Sequence, residues 1–242
     1  RPMLFYALDR LCEIGIKDVV VVVRSPEEVL QVEELDISDF PITLSAVIQS
    51  LPNGPADAVA QVPNEIIRGR HTIVVATDSI LLGGNLAVDI EKWEESGAQA
   101  WLPLSYTDRP KDMGIAKLKG KQIVSFVEKP QKPLSNLACT AWWMLGPDAV
   151  DRILDDPVAN KKGELEISGT LSAIIEEGGY VAGRKFDGQW LDTGNLKSLL
   201  SAQSQILDHY EQENLISPEA EISRCQIGKN VVLVAEDVEG EA

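Results

Sequence analysis

Apolar positions recur along the first fifteen residues at helical spacing. Leu4, Leu8, Leu11 and Ile14 fall on one face, Pro2 suits the first turn, and Gly15 supplies a left-handed stop. The pattern then changes abruptly to Asp18-Val19-Val20-Val21-Val22-Val23, a continuous β-branched run that predicts a central parallel strand covered on both faces. Ser25, with Glu28 three residues on, predicts a capped second helix. Apolar runs at 42–48, 72–76 and 100–104 alternate with helical patterns at 56–67 and 86–96. This β-α-β rhythm predicts an α/β fold with a Rossmann-like, doubly wound sheet.

The rhythm changes in the middle of the chain. Residues 114–118 and 122–127 flank a Lys119-Gly120 turn and predict a hairpin, followed by one strand over 137–145, so the sheet is expected to be mixed. Helices at 170–177 and 195–210 flank a strand at 181–186. Beyond residue 213 an aliphatic residue returns at about every sixth position with Gly or Asn at the corners, the spacing of hexapeptide turns in a left-handed β-helix. An irregular tail with a strand or two is the plainer reading of the same residues. The expected domains are therefore 1–212, an α/β body, and 213–242, the start of a β-helix.

With 242 residues, 44% of them hydrophobic, the chain has enough apolar material for one substantial core. Its 22 basic and 38 acidic residues give a formal charge of −16, which argues against a nucleic-acid surface. Such acidity leaves phosphate ligands possible, because helix N-termini and a few local cations can bind them. No apolar run is long enough to cross a bilayer, and three widely spaced cysteines suggest neither a zinc site nor a disulfide framework. A cytoplasmic protein, with no membrane partner, is expected.

Four segments carry candidate chemistry. The first, Gln49-Ser50-Leu51-Pro52-Asn53-Gly54-Pro55-Ala56-Asp57-Ala58, lies between a strand and a helix; an amide that both donates and accepts shares the segment with a residue with no Cβ to block a flat ring, although the segment also reads as an ordinary turn. In the second, an apolar strand ends in Thr77-Asp78, where a carboxylate can hold a metal or cap the next turn. The third is Val127-Glu128-Lys129-Pro130, a charged pair at a strand end, and the fourth is Trp190-Leu191-Asp192-Thr193-Gly194.

Together, and with Arg1-Pro2-Met3-Leu4 and Gly163-Glu164-Leu165-Glu166-Ile167, these segments resemble the sugar nucleotidylyltransferases, best known from glucose-1-phosphate thymidylyltransferases. The resemblance covers nearly the whole chain. It implies an enzyme that makes an NDP-sugar and pyrophosphate from an NTP, dTTP or UTP, and a sugar 1-phosphate such as glucose 1-phosphate. Gln49, Pro52 and Gly54 would bind the nucleotide. Gly114, Glu128, Lys129, Cys139 and Trp143 would line the sugar pocket, with Lys129 also approaching phosphate. Asp78 and Asp192 would hold Mg²⁺, making Asp78, Lys129 and Asp192 the catalytic set.

The chain departs from the family at Thr77, commonly Gly; Ala141, commonly Gly; Gly169, commonly Asp; and Asn195, commonly Thr. The Ala141 change leaves the sugar open. The family's Gly-rich phosphate loop would precede Arg1, so the chain on its own is expected to be inactive and a homo-oligomer is expected of the protein. Two other readings remain at this stage: a non-catalytic NDP-sugar-binding regulator, and a hexapeptide acyltransferase. The latter needs a histidine in the C-terminal repeat, whereas the histidines are His71 and His209.

Overall fold

The computed structural model describes residues 2–209, 215–216 and 232–233. It divides into two compact units, Arg1–Trp190 and Leu191–Ala242. Helix α1 (Met3–Glu13) follows Pro2 and buries Ala7, Leu8 and Leu11. Strand β1 (Asp18–Val23) leads to α2 (Pro26–Glu33) and β2 (Thr43–Ile48). Ser25 Oγ accepts the Glu28 N–H at 3.3 Å, as a cap should, but the Glu28 carboxylate reaches back one residue further, accepting the Arg24 N–H at 2.7 Å.

The expected helix over 56–67 is two short helices, α3 (Pro55–Ala60) and α4 (Asn64–Ile67). Pro63 separates them, since it lacks the N–H that a continuing helix requires. Strands β3 (Thr72–Val75) and β4 (Ser79–Leu82) precede α5 (Ala87–Ser96) and β5 (Ala100–Tyr106). The hairpin follows as β6 (Gly114–Lys119) and β7 (Gln122–Glu128). The single strand expected over 137–145 is broken into β8 (Leu137–Cys139) and β9 (Trp142–Leu145), because Ala141 adopts φ +55° and turns the chain. After α6 (Pro147–Asp155) come β10 (Val158–Ala159), β11 (Leu165–Glu166), α7 (Ile167–Glu176) and β12 (Val181–Lys185).

Among the described residues the main sheet is mixed and seven-stranded, in the order β12-β7-β6-β8-β5-β9-β3, with β12 also pairing β5. The β12–β5 pairing is parallel; the other registered pairs in this sheet are antiparallel. Side chains of β5 alternate between two cores. Ala100, Leu102 and Leu104 face a cluster built with α3, α6 and α7, while Trp101 faces one built with α1 and α5. Helices thus cover both faces, and β5 is buried on both, as are β9, through Trp142 and Leu145, and β12, through Val181 and Ala182.

That placement corrects the expectation for β1. Among the described residues β1 pairs with β2 alone, in a separate parallel ladder, and most of its valines are only half-buried. A β-branched run reports strand propensity; burial on two faces depends on what the rest of the chain brings to it. A buried ion pair ties β12 to the opening of α5: Asp89 accepts from Trp101 Nε1 at 2.8 Å and from Arg184 Nη2 at 2.7 Å.

Strand β13 (Gln189–Asp192) runs across the boundary between the units, and α8 (Leu196–His209) belongs to the second. Asn195 caps α8 as its sequence predicts: its Oδ1 accepts the Ser198 N–H at 3.0 Å, and Ser198 Oγ accepts the Asn195 N–H at 3.3 Å. Strands β14 (Leu215–Ile216) and β15 (Val232–Leu233) pair in parallel. The remaining hexapeptide positions expected in 213–242 lie outside the described residues. Among the described residues no helix is long and apolar enough to cross a membrane.

Candidate functional site

The 49–58 loop begins where β2 ends and α3 begins. Gln49 is half-buried, and its side-chain amide donates twice within the loop, to Gly54 O at 3.1 Å and to Asp57 Oδ2 at 2.7 Å. Both amide protons are therefore engaged in shaping the loop, a role the sequence did not suggest. Gly54 stands at φ +95°, and a Cβ built there would lie 2.4 Å from Leu165 O. The seam is closed from the other side by the Leu165 N–H, which donates to Asn53 O at 2.8 Å. Gly54 thus has a packing duty that by itself demands glycine. Pro52 is exposed on the same loop.

Glu128 and Lys129 stand at the end of β7. Gly114 lies directly across the ladder from Glu128, and a Cβ at Gly114 would come within 2.8 Å of Glu128 Oε2. Lys129 takes the uncommon φ of +45°, held by donation of its N–H to Met113 O at 3.0 Å. Its ammonium lies 3.7 Å from Glu128 Oε1 and is well exposed. Burial raises the Glu128 carboxyl above its ordinary range; Lys129 opposes the shift and the Glu166 carboxylate adds to it. Cys139 lies near enough to Glu128 to feel its charge, and burial chiefly pushes the thiol up to about 12. Trp143 is half-buried against the core, and its indole N–H has no hydrogen-bond partner among the described residues. The structure therefore gathers Gly114, Glu128, Lys129 and Cys139 in one neighbourhood.

Asp78 sits exposed in the turn between β3 and β4. That turn is pinned to the β8–β9 junction. The Ala76 N–H donates to Ala141 O at 3.1 Å, the Ser79 hydroxyl donates to Thr140 O, and Trp190 Nε1 donates to Ser79 Oγ at 3.0 Å. Asp192 lies in the second unit, where its Oδ1 accepts the Gly194 N–H at 3.1 Å. Both carboxylates are hard oxygen donors, the ligand type that magnesium takes, commonly one or two from protein and the rest from water and phosphate. The donor chemistry fits the ion implied by the motifs.

Sequence reasoning passed over Asp57, Asn160 and Ser79, which organise the loops that carry the candidate residues. Asn160 had a visible signal: Asn-Lys-Lys-Gly is a turn sequence whose Asx side chain can bond to backbone ahead of it.

The family model for nucleotidyl transferases matches residues 1–209. A glucose-1-phosphate thymidylyltransferase of Neisseria meningitidis is 30% identical over 221 residues, spanning 89% of this chain and 75% of that protein. A low-salt glycan biosynthesis nucleotidyltransferase of Haloferax volcanii is 27% identical over 86% of this chain, which spans 58% of that relative's length. The fold is also similar to that of a UDP-glucose pyrophosphorylase solved with UDP-glucose, with TM-score 0.75 at 17% identity over 86% of this chain and 87% of that one.

Proposed function

This chain belongs to the nucleotidyl transferase family, and from that premise we propose that it joins dTTP or UTP to a sugar 1-phosphate such as glucose 1-phosphate, releasing pyrophosphate and an NDP-sugar. The observation that carries the reading is the strand-end pair Glu128–Lys129, whose carboxylate lies over Gly114 in the space a Cβ there would enter, held with Lys129 at positive φ. A carboxylate there can accept sugar hydroxyls while the neighbouring ammonium offsets phosphate charge.

In the proposed step an oxygen of the acceptor phosphate attacks the α-phosphorus of the NTP, the bond from that phosphorus to the bridging oxygen breaks, and pyrophosphate leaves with the electron pair. A phosphate monoester is largely dianionic near neutral pH, so no proton need be removed from the nucleophile. Positioning and charge neutralisation then supply the catalysis. Lys129 would neutralise the acceptor. The motif resemblance assigns Mg²⁺ to Asp78 and Asp192, and the ion when bound would neutralise phosphate charge.

With both Gln49 amide protons committed to its own loop, base recognition falls to the side-chain carbonyl, an acceptor that suits the N3–H of uracil or thymine. Pro52 would border the base, and Cys139 and Trp143 would shape the sugar side. A Rossmann-like doubly wound body over 1–212, a β-helix beginning at 213, a homo-oligomeric assembly and a cytoplasmic location belong to the same proposal.

The test is a panel assay of pyrophosphate release with dTTP and UTP against several sugar 1-phosphates in Mg²⁺, together with calorimetry of NDP-sugar binding. Turnover or NDP-sugar binding selective for a pyrimidine is expected. Neither turnover nor binding with any member of the panel would overturn the proposal.

A further inference from the structure

The turn between β10 and β11 is organised around one side chain. Asn160 is half-buried, and all its side-chain contacts are matched: Nδ2 donates to Glu164 Oε2 at 2.8 Å and to Glu166 Oε1 at 2.9 Å, while Oδ1 accepts the N–H groups of Lys162 at 2.8 Å and Glu164 at 3.1 Å. Rotating the amide by a half-turn would set its oxygen against two carboxylates and its NH₂ against two donors, so the orientation is fixed chemically.

The consequence falls on Glu166. Its backbone is paired with Val158 and its carbonyl accepts the Thr170 hydroxyl at 2.9 Å, which anchors the main chain but leaves the carboxylate to be aimed. Helix α7 opens directly after Glu166 and packs on β7, where its Ser172 hydroxyl donates to Phe126 O two residues before Glu128, so Glu166 and Glu128 stand on adjoining elements and their carboxylates repel. The Asn160 amide supplies the bond that holds Glu166 in place against that repulsion. Immediately before it, Leu165 is seated on Asn53 and Gly54, so the carboxylate also keeps a set reach from the 49–58 loop.

We propose that Asn160 is a positioning residue for acceptor recognition, holding Glu166 beside Glu128 so that the two carboxylates together accept the hydroxyls of the sugar half of the product. The inference rests on the proposed function and deepens it. A polyhydroxylated ligand supplies only what a carboxylate pair lacks, namely donors, and a pair already held together needs no rearrangement to receive them.

The test compares binding of an NDP-sugar with binding of its nucleotide alone, using whichever of UDP-glucose and dTDP-glucose the wild-type chain holds more tightly, and UDP or dTDP correspondingly. Asn160→Asp is the informative variant: one carboxylate oxygen can still accept the Lys162 and Glu164 N–H groups, while the other replaces the donor to Glu166 with a like charge that pushes that carboxylate out of place. Calorimetry should show NDP-sugar affinity falling about tenfold or more, the value of one lost charge-assisted hydrogen bond, with nucleotide affinity within about twofold of wild type. Glu164→Gln leaves the Glu166 contact intact and should bind both ligands as wild type does.

Three results overturn the inference: unchanged NDP-sugar affinity in Asn160→Asp, parallel losses for NDP-sugar and nucleotide, or the same selective loss in Glu164→Gln. A wild-type chain that binds no NDP-sugar sinks the proposed function itself, and with it this inference. The two failures are thus told apart by the wild-type titration.

Discussion

Gly54→Ala tests the seam between the 49–58 loop and β11, and its magnitude can be worked from two separate costs. The backbone stands at φ +95° and ψ 168°, a region nearly restricted to glycine, where a side chain costs roughly 1–3 kcal/mol. The new methyl would also lie 2.4 Å from Leu165 O and 2.8 Å from Leu165 N. Both are main-chain atoms, so no side chain can swing aside; β11 must move, at an overpacking cost of roughly 1–3 kcal/mol. The sum is about 2–6 kcal/mol. With a shift of roughly 2–4 °C per kcal/mol at this chain length, the unfolding midpoint should fall by at least about 4 °C. Gly120→Ala is the matched control, since Gly120 has φ +65° but no neighbour within 4 Å of a built Cβ. It bears only the backbone cost, roughly 1–2 kcal/mol. Thermal denaturation followed by circular dichroism reads both. A Gly54→Ala protein that unfolds no earlier than Gly120→Ala would refute the seam, and with it the fixed reach from Gly54 to Glu166.

In a chain extended upstream of Arg1 by the Gly-rich loop that the motif resemblance implies, replacing Asp78 and Asp192 together by Asn should abolish Mg²⁺-dependent turnover while circular dichroism remains that of the unsubstituted chain, because an amide cannot supply the charge a carboxylate gives a cation; retained turnover removes the metal assignment. Gln49→Ala should weaken dTTP or UTP binding by roughly 1–3 kcal/mol, the cost of an unpaired buried polar edge, and narrow the preference over ATP; an unchanged preference in calorimetry would mean Gln49 does not read the base. Cys139, buried and with its thiol pushed up to about 12, should resist iodoacetamide at pH 8 until the chain unfolds, since the thiolate is the reactive form. Peptide mapping that finds native Cys139 alkylated as fast as in denaturant would contradict the burial.

Where local rules and tertiary packing agree, the fold was legible in the residues. Helix α1 follows from the Leu4–Leu8–Leu11 spacing, α8 from its Asn195 cap, and the β6–β7 hairpin from Lys119-Gly120. The misreadings have physical causes. In β1 the five valines specify a strand, but burial depends on partners, and β5 with its alternating Ala100, Trp101 and Leu102 is among the strands enclosed by both cores. Pro63 was a visible breaker inside 56–67, and it stands between α3, which ends at Ala60, and α4, which begins at Asn64. The main chain carrying the candidate residues was legible as motifs; Asn160-Lys-Lys-Gly also signals a turn, but the side-chain partners of Asn160 and Asp57 did not show, because Glu166 and Gln49 meet them only through loop geometry.

The least legible features are also the most informative about the site. Nothing in Cys139-Thr140-Ala141-Trp142 announces a break, yet Ala141 at φ +55° divides β8 from β9; nothing in Glu128-Lys129-Pro130 announces that Lys129 takes φ +45°. Each conformation costs an L-residue roughly 1–2 kcal/mol and persists only where the surroundings over-determine it. Here they do: Lys129 is tied to Met113, and Ala141 to Ala76, whose turn presents Asp78. Cys139 feels the charge of Glu128, so the two departures from ordinary backbone flank one neighbourhood. Strain spread at random along the chain would have no such companions. Its concentration beside Glu128, Cys139 and the Asp78 turn is what is expected when a backbone is bent to set polar groups for a ligand, and it supports the proposed acceptor side of the site on grounds separate from the motifs.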